Sequence, residues 1–246
     1  MRLFEQTLRK VFNVCGFVIY RKGRRRTTLG EIVDHVLKLG FRPRTVIDVG
    51  VAYGTFELYR FPDAKYILIE PLREFEPFLK KICKKYDAEY VLAAASDHPG
   101  IIEIKVHNNL TSSSIFEETS GVFKGFSRKV PAVTIDDVCK ERKLKGPYVI
   151  KIDVQGAELK VLDGAKNVLK DAELVILEVS LFQFYVGGPQ FYDVITYMKE
   201  HGFVVYDFYN GHNRPFDGAL AQIDVVFVKE NGPFRKYHIY RRLVNG

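Results

Sequence analysis

Apolar residues along the chain fall into short, nearly continuous runs that alternate with stretches in which they recur every three or four positions. The short runs predict parallel strands covered on both faces, and the spaced stretches predict helices with one buried stripe. A first helix starts at Thr28, where Thr28 and Glu31 have capping-box spacing, and runs through Ile32, Val33, Val36, Leu37 and Leu39 to a stop at Gly40. Strands are expected at Thr45–Val49, Tyr66–Glu70, Glu89–Ala94, Tyr148–Asp153 and Glu173–Val179. Among them, residues 74–85 place Phe75, Phe78, Leu79 and Ile82 on one side of a helix, and further helices are expected over 156–169 and 189–201.

Residues 101–135 break this rhythm. Ile102, Ile104 and Val106 alternate with charged neighbours, a loop rich in Ser, Thr and Gly follows, and Lys129–Val133 supplies a partner, so an inserted strand pair is expected. Two β-rich runs, Phe203–Phe208 and Gln222–Val228, close the chain with only the loop Tyr209–Ala221 between them. Alternating βα units that end in this way predict an α/β fold, a doubly wound Rossmann-like sheet whose last strand is antiparallel. Without internal repeats or low-complexity linkers, the expected organisation is one domain over residues 41–246 behind a basic, helical extension over residues 1–40.

Composition sharpens this picture in three ways. With 47% hydrophobic and 27% charged residues, the 246-residue chain has apolar surface for a core, which excludes a disordered or collagen-like chain. Cys15, Cys83 and Cys139 stand far apart without a CxxC pair, so neither a disulfide framework nor a cysteine zinc site is supported, and a reducing, cytoplasmic setting is expected. The apolar run Val11–Tyr20 is broken by Asn13 and is too short to span a bilayer.

Charge is unevenly placed. Arg2, Arg9, Lys10, Arg21, Lys22, Arg24, Arg25 and Arg26 face Glu5 alone and account for the whole formal charge of +7. The tail from Arg235 adds Lys236, Arg241 and Arg242 with no acid, so any attraction to phosphate or to an anionic membrane belongs to the termini and not the body; at the N-terminus Leu3, Leu8, Val11 and Phe12 also lie near one face of a short helix. Packing of that helix on the body is the commoner outcome, and peripheral membrane contact is the alternative.

The strongest local signal is Val46–Gly54, VIDVGVAYG, a buried strand that ends in a glycine-bounded turn. Gly50 permits the tight turn and the close approach of a ligand, and Gly54 could serve the start of a following helix. Twenty residues after Gly50, the second strand ends at Glu70, where an acid is placed to accept hydrogen bonds from two ribose hydroxyls. The turn is GxxxG and lacks the GxGxxG that seats a pyrophosphate, which favours a phosphate-free nucleoside such as S-adenosylmethionine over NAD.

At this point the sequence resembles the FkbM-type S-adenosylmethionine-dependent methyltransferases. The matching segments are Val46–Gly54, Ile69-Glu70-Pro71, Ala94-Ala95-Ser96-Asp97, Val130–Asp137, Ile176–Val179 and, most specific of all, Val149–Ala165, VIKIDVQGAELKVLDGA. The resemblance implies a seven-stranded methyltransferase sheet, S-adenosyl-L-methionine as cofactor, and methyl transfer to an oxygen of a small molecule or glycan. It assigns Asp48, Gly50, Tyr53 and Gly54 to the cofactor turn and Glu70 with Pro71 to the ribose site. It puts Ser96 and Asp97 at the adenine and Asp153 beside the methionine part and the reacting methyl. The family usually has Gly-Ala-Asn-x-Gly in the turn; here Val51, Ala52 and Tyr53 intervene, and Tyr53 is placed to lie over the cofactor.

Transfer to a hydroxyl asks for an oxygen held in line behind the methyl and a place for its proton. Asp153 is the first candidate for that role, followed by Glu158 and Glu178, while the polar stretch with His107, Ser113 and Ser114 is the candidate acceptor site. The same three acids offer oxygen ligands of the kind magnesium prefers, but acids scatter in this way by chance, and no metal site is assigned. The expected function is O-methylation of a sugar, glycolipid or related small molecule. Two competing readings are an RNA methyltransferase, prompted by Arg21–Arg26, and a non-catalytic adapter that keeps the fold; the body lacks a recognisable RNA-binding module, and Asp48, Gly50, Glu70 and Asp153 are all retained.

Overall fold

In the computed structural model, residues 11, 12, 14, 26–121 and 124–240 are described. Most of the N-terminal amphipathic stretch, Cys15 and the arginines at 21, 24 and 25 lie outside them. Ten strands are present among the described residues: β1 Thr45–Val49, β2 Lys65–Ile69, β3 Ala88–Val91, β4 Ala94–Ala95, β5 Gly100–His107, β6 Gly125–Val133, β7 Tyr148–Ile152, β8 Ala172–Ser180, β9 Phe203–Asn213 and β10 Leu220–Lys229. Among the described residues from 26 onward, the α-helices are α1 Leu29–Lys38, α2 Glu76–Lys85, α3 Ile135–Glu141, α4 Glu158–Asp163, α5 Lys166–Lys170 and α6 Phe191–Glu200.

Seven strands form one sheet in the order β3-β2-β1-β7-β8-β10-β9. Strands β3, β2, β1, β7 and β8 are parallel, and β10 inserts between β8 and β9 antiparallel to both. This is the doubly wound α/β sheet with an antiparallel last strand that the sequence predicts. A second sheet, β4-β6-β5, carries the inserted antiparallel pair β5 and β6.

Within each apolar strand, alternate residues serve opposite faces. Ile47, Val49, Ile150, Ile152, Val175 and Leu177 pack with α3, α4, α5 and α6. Val46, Tyr66, Leu68, Val149, Ile176 and Val226 pack on the other face with α1 and α2. Helix α1, capped by Thr28 Oγ1 accepting from the Glu31 amide at 3.3 Å, contributes Leu29, Ile32, Val33 and Val36 to that second core. Residues 29–38 are thus part of the packed body.

Four local expectations are corrected. The run Glu89–Ala94 is two strands, because the chain leaves the main sheet after Val91 and Ala94–Ala95 pairs with β6 instead. The helix over 156–169 is broken into α4 and α5 at Gly164, which lies so close to the Ser96 carbonyl that a Cβ there would stand 2.0 Å from its oxygen. Gly54 starts no α-helix: the first crossover holds only the single 3-10 turn Leu58–Arg60, and Gly54 packs against Ile82 and Phe56. The loop expected at Tyr209–Ala221 is mostly strand, since β9 and β10 continue as a bulged hairpin to Asn213 and from Leu220. Among the described residues no helix is long and apolar enough to cross a membrane.

Candidate active site

A cavity of about 720 Å³ opens at the carboxyl ends of β1, β2 and β7. Its first wall is the turn after β1. The Gly50 amide donates to the Ile69 carbonyl at 2.9 Å, and the Gly54 amide to the Val51 carbonyl at 2.8 Å. Gly50 has φ +78, and a Cβ on it would stand 1.8 Å from the Asp153 carbonyl oxygen. Glycine is required because the turns after β1 and β7 touch at this point, with the Asp153 amide also bonded to the Val49 carbonyl at 3.0 Å.

Glu70 lines the cavity, and both its oxygens are engaged. Oε2 accepts from the Ala52 amide and Oε1 from the Leu72 amide, each at 2.9 Å. Burial pushes its pKa up to about 7, against the pull of those two amides. Pro71 lines the same wall, and Tyr53, half exposed, stands edge-on to Phe75 and Phe78 with ring centres 5.0 and 4.9 Å away.

Asp48 does not reach the cavity lining. It is fully buried beneath the turn, accepting from Tyr59 Oη at 2.6 Å and from Thr55 Oγ1 at 3.3 Å, and burial raises its pKa. Its carboxylate fastens the segment that follows Gly54. Ser96 and Asp97 also lie off the lining: Ser96 Oγ donates to Asp97 Oδ1 at 2.9 Å, Asp97 pairs with His98, and Ala94 and Ala95 form the wall in their place.

The opposite end of the cavity is polar. Alternation along the strands puts Asp48, Lys151, Glu178 and Asp224 on one face of β1, β7, β8 and β10, with Asp48 beside Lys151 and Asp224 beside Glu178 in register. Lys151 Nζ donates to Asp153 Oδ2 at 3.2 Å. Burial alone would lower the Lys151 pKa, but Asp153, Asp48 and Asp224 outweigh it and hold the ammonium above its ordinary value. Gln155 Nε2 bridges Asp153 Oδ1 and Glu178 Oε2, at 3.1 and 3.0 Å, and Gln222 Nε2 also donates to Glu178 at 3.0 Å. Burial drives Glu178 to about 8 and Asp224 to about 6, with neighbouring acids adding to both shifts.

This geometry separates the expected acids. Asp153 lines the cavity, whereas Glu158 and Glu178 do not. Glu158 Oε1 accepts from the Val154 and Gly156 amides, at 3.2 and 3.1 Å, and so closes the turn after β7; burial raises its pKa to about 7. Ser113 and Ser114 line the cavity, but their hydroxyls are spent on the Leu110 carbonyl at 2.6 Å and the Gln155 carbonyl at 2.7 Å. His107 lies off the lining, next to Asn109. Among the described residues no group of three or more His, Cys, Asp or Glu is arranged to hold a metal ion.

The sequence profile of the Methyltransferase FkbM domain matches residues 48–205, from the end of β1 to the first residues of β9. The chain belongs to the FkbM methyltransferase family. With the family comes S-adenosylmethionine as methyl donor, and the cavity suits it: an apolar floor, a buried acid at the end of β2, and carboxylates at the far end to face a sulfonium.

None of the curated proteins searched matches this FkbM chain in sequence. Among solved structures it is similar to a putative RNA methyltransferase from Pyrococcus horikoshii, with 13% identity, 82% of each chain covered and a TM-score of 0.44. It is also similar to magnesium protoporphyrin IX methyltransferase from Synechocystis PCC 6803 with bound SAM, at 10% identity, 82% and 77% coverage and a TM-score of 0.46. A third is 1,6-didemethyltoxoflavin-N1-methyltransferase from Burkholderia thailandensis, at 11% identity, 93% and 89% coverage and a TM-score of 0.41.

Lys151, Gln155, Tyr209, Asn210 and Asp224 of this FkbM site, all on the lining, receive no role from the sequence, although Lys151 and Gln155 fall within VIKIDVQGAE. Two carried a signal. Lys151 and Asp224 are charged residues within otherwise apolar strand runs, which is unfavourable unless they are paired or functional. Tyr209 and Asn210 carried none, because the hairpin that positions them reads as a loop.

Proposed function

We propose that this FkbM-family methyltransferase is an O-methyltransferase acting on a hydroxyl of a sugar, glycolipid or related small molecule. The observation that carries the reading is the contact between the Gly50 turn and the Asp153 backbone, which sets the Asp153 carboxylate beside the segment assigned to the methyl donor. Glu70, its two oxygens already oriented by the Ala52 and Leu72 amides, takes the ribose diol on its remaining lone pairs. When bound, S-adenosylmethionine supplies an activated methyl: an acceptor O–C bond forms while the S–C bond breaks and leaves its electron pair on sulfur. Asp153, held by Lys151 and Gln155, orients the acceptor hydroxyl and receives its proton. Gln155 itself is fixed by Tyr185 Oη, which donates to its Oε1 at 3.1 Å, so the carboxylate is positioned from two sides.

The test is incubation of cell extracts with radiolabelled S-adenosylmethionine, followed by mass analysis of labelled products. Label in a methyl ether supports the reading, and label confined to nitrogen, carbon or RNA refutes it. Asp153→Asn should lower turnover by roughly 100-fold or more while S-adenosylhomocysteine still binds.

A further inference from the structure

We propose that Tyr209, Asn210 and Asp224 of the last hairpin form the acceptor subsite, and that this subsite selects an uncharged, hydroxyl-bearing acceptor over a phosphorylated or carboxylated one. The proposal rests on the O-methyl-transfer reading above.

Tyr209 is 4% exposed, and its hydroxyl lies close enough to the Asp224 carboxylate to interact with it but completes no hydrogen bond of good geometry. A buried hydroxyl left in this state is destabilising, and native proteins rarely keep one without a use. Tyr209 belongs to the cavity lining, together with Asn210 and Asp224. The hairpin is shaped for the purpose: β9 and β10 slip register between Gln222 and Asp224, and Asn210 takes the left-handed φ of +50. Such irregularities redirect side chains next to active sites. Asn210 Nδ2 then donates to Asp224 Oδ2 at 2.9 Å, which orients the carboxylate.

Charge supplies the selectivity. Among the described residues that line the cavity, Lys151 is the one Lys or Arg, against Glu57, Glu70, Asp153 and Asp224. Its ammonium is already engaged by Asp153 at 3.2 Å. A phosphate or carboxylate brought to this end would meet carboxylates with no free cation among the described lining residues, in a site where burial leaves little water to screen them. A hydroxyl can donate to Asp224 and accept from Tyr209 without adding charge.

The experiment uses the full chain saturated with S-adenosylhomocysteine and reads binding by saturation-transfer NMR. The probes are methyl α-glucopyranoside, myo-inositol, glucose 6-phosphate and inositol 1-phosphate. At least one neutral polyol should bind, at least tenfold more tightly than its phosphate ester, and its affinity should fall at least tenfold in Tyr209→Phe and in Asp224→Asn. The Tyr209→Phe variant should melt close to the wild-type temperature, because the hydroxyl it loses completes no hydrogen bond of good geometry. Phosphate esters binding as well as neutral polyols, no polyol binding at all, or neutral binding unchanged in both variants would each overturn the proposal. So would a marked drop in the melting temperature of Tyr209→Phe. Calorimetry with S-adenosylhomocysteine alone keeps the two readings apart: failure there removes the methyltransferase site, whereas success there with failure of the polyol arms removes only the subsite.

Discussion

Replacing Glu70 with Gln should make the protein more stable at alkaline pH and a poorer binder of its cofactor. The carboxyl is buried, and its pKa rises from 4.5 to about 7. Below pH 4.5 the folded and unfolded states both hold the proton, so the group adds no pH dependence. Between 4.5 and 7 only the folded state holds it, so stability falls as pH rises, and above 7 the full penalty is present. At ~1.4 kcal/mol per pKa unit that penalty is on the order of 3 kcal/mol. Glutamine never ionises, but its NH2 faces one of the two amides that Glu70 now accepts from, much as the O–H of the protonated acid does. The two proteins should therefore melt close together at pH 5. With about 2–4 °C per kcal/mol for a chain of this size, the variant should lead by about 6–12 °C at pH 8.5. Melts across that range, read by circular dichroism, measure the gap. A gap that does not change with pH would mean that Glu70 titrates as an ordinary solvent-exposed acid, and the burial argument would fail. In calorimetry the variant should bind S-adenosylhomocysteine about 10–100-fold more weakly, from the loss of ~1–3 kcal/mol in charged hydrogen bonds; undiminished affinity would take Glu70 out of the ribose site.

Other substitutions test the frame around the cavity. Gly50→Ala forces a side chain into a φ of +78, for ~1–2 kcal/mol, and drives its Cβ against the Asp153 carbonyl; a clear fall in melting temperature with loss of S-adenosylhomocysteine binding is expected, and normal binding would contradict the contact. Lys151→Met strips the ammonium from Asp48, Asp153 and Asp224, so urea titration should show a loss of ~3–5 kcal/mol, shrinking toward pH 5 as the raised carboxyls of Asp48 and Asp224 protonate. Tyr59→Phe removes the 2.6 Å bond to buried Asp48 and should cost ~1–3 kcal/mol in the same assay, with normal acceptor selectivity.

The sheet was legible because its strands are apolar runs too short for helices, and because Thr28, Gly40 and the VIDVG and KIDVQGAE segments punctuate them. Glu70 and Asp153 were legible for a related reason: an acid at the end of an apolar run marks the edge of a parallel sheet, where ligands bind. Function alone does not explain the acids that lie elsewhere. Asp48 and Glu158 sit in the same motifs but turn inward to hold backbone and tyrosine donors, and spacing along a chain does not say which way a carboxylate at a strand end turns. The hairpin was illegible because Asn210, Gly211, His212, Asn213 and Arg214 have the composition of a loop, while pairing across the strand kept most of them extended. That misreading concealed Tyr209 and Asn210. The break at Gly164 was hidden for another reason, since it depends on a carbonyl sixty-eight residues away in the chain, at Ser96.

Of the ten described strands β10 is the last to be synthesised, yet it occupies an interior place in the sheet, between β8 and β9. Until residues 220–229 emerge, the nascent chain presents two unpaired apolar edges, and an unpaired edge invites pairing with other chains. A message cut short near residue 213 should therefore yield an aggregating fragment, and proteolytic trimming into β10 should abolish the whole fold instead of producing a shortened enzyme.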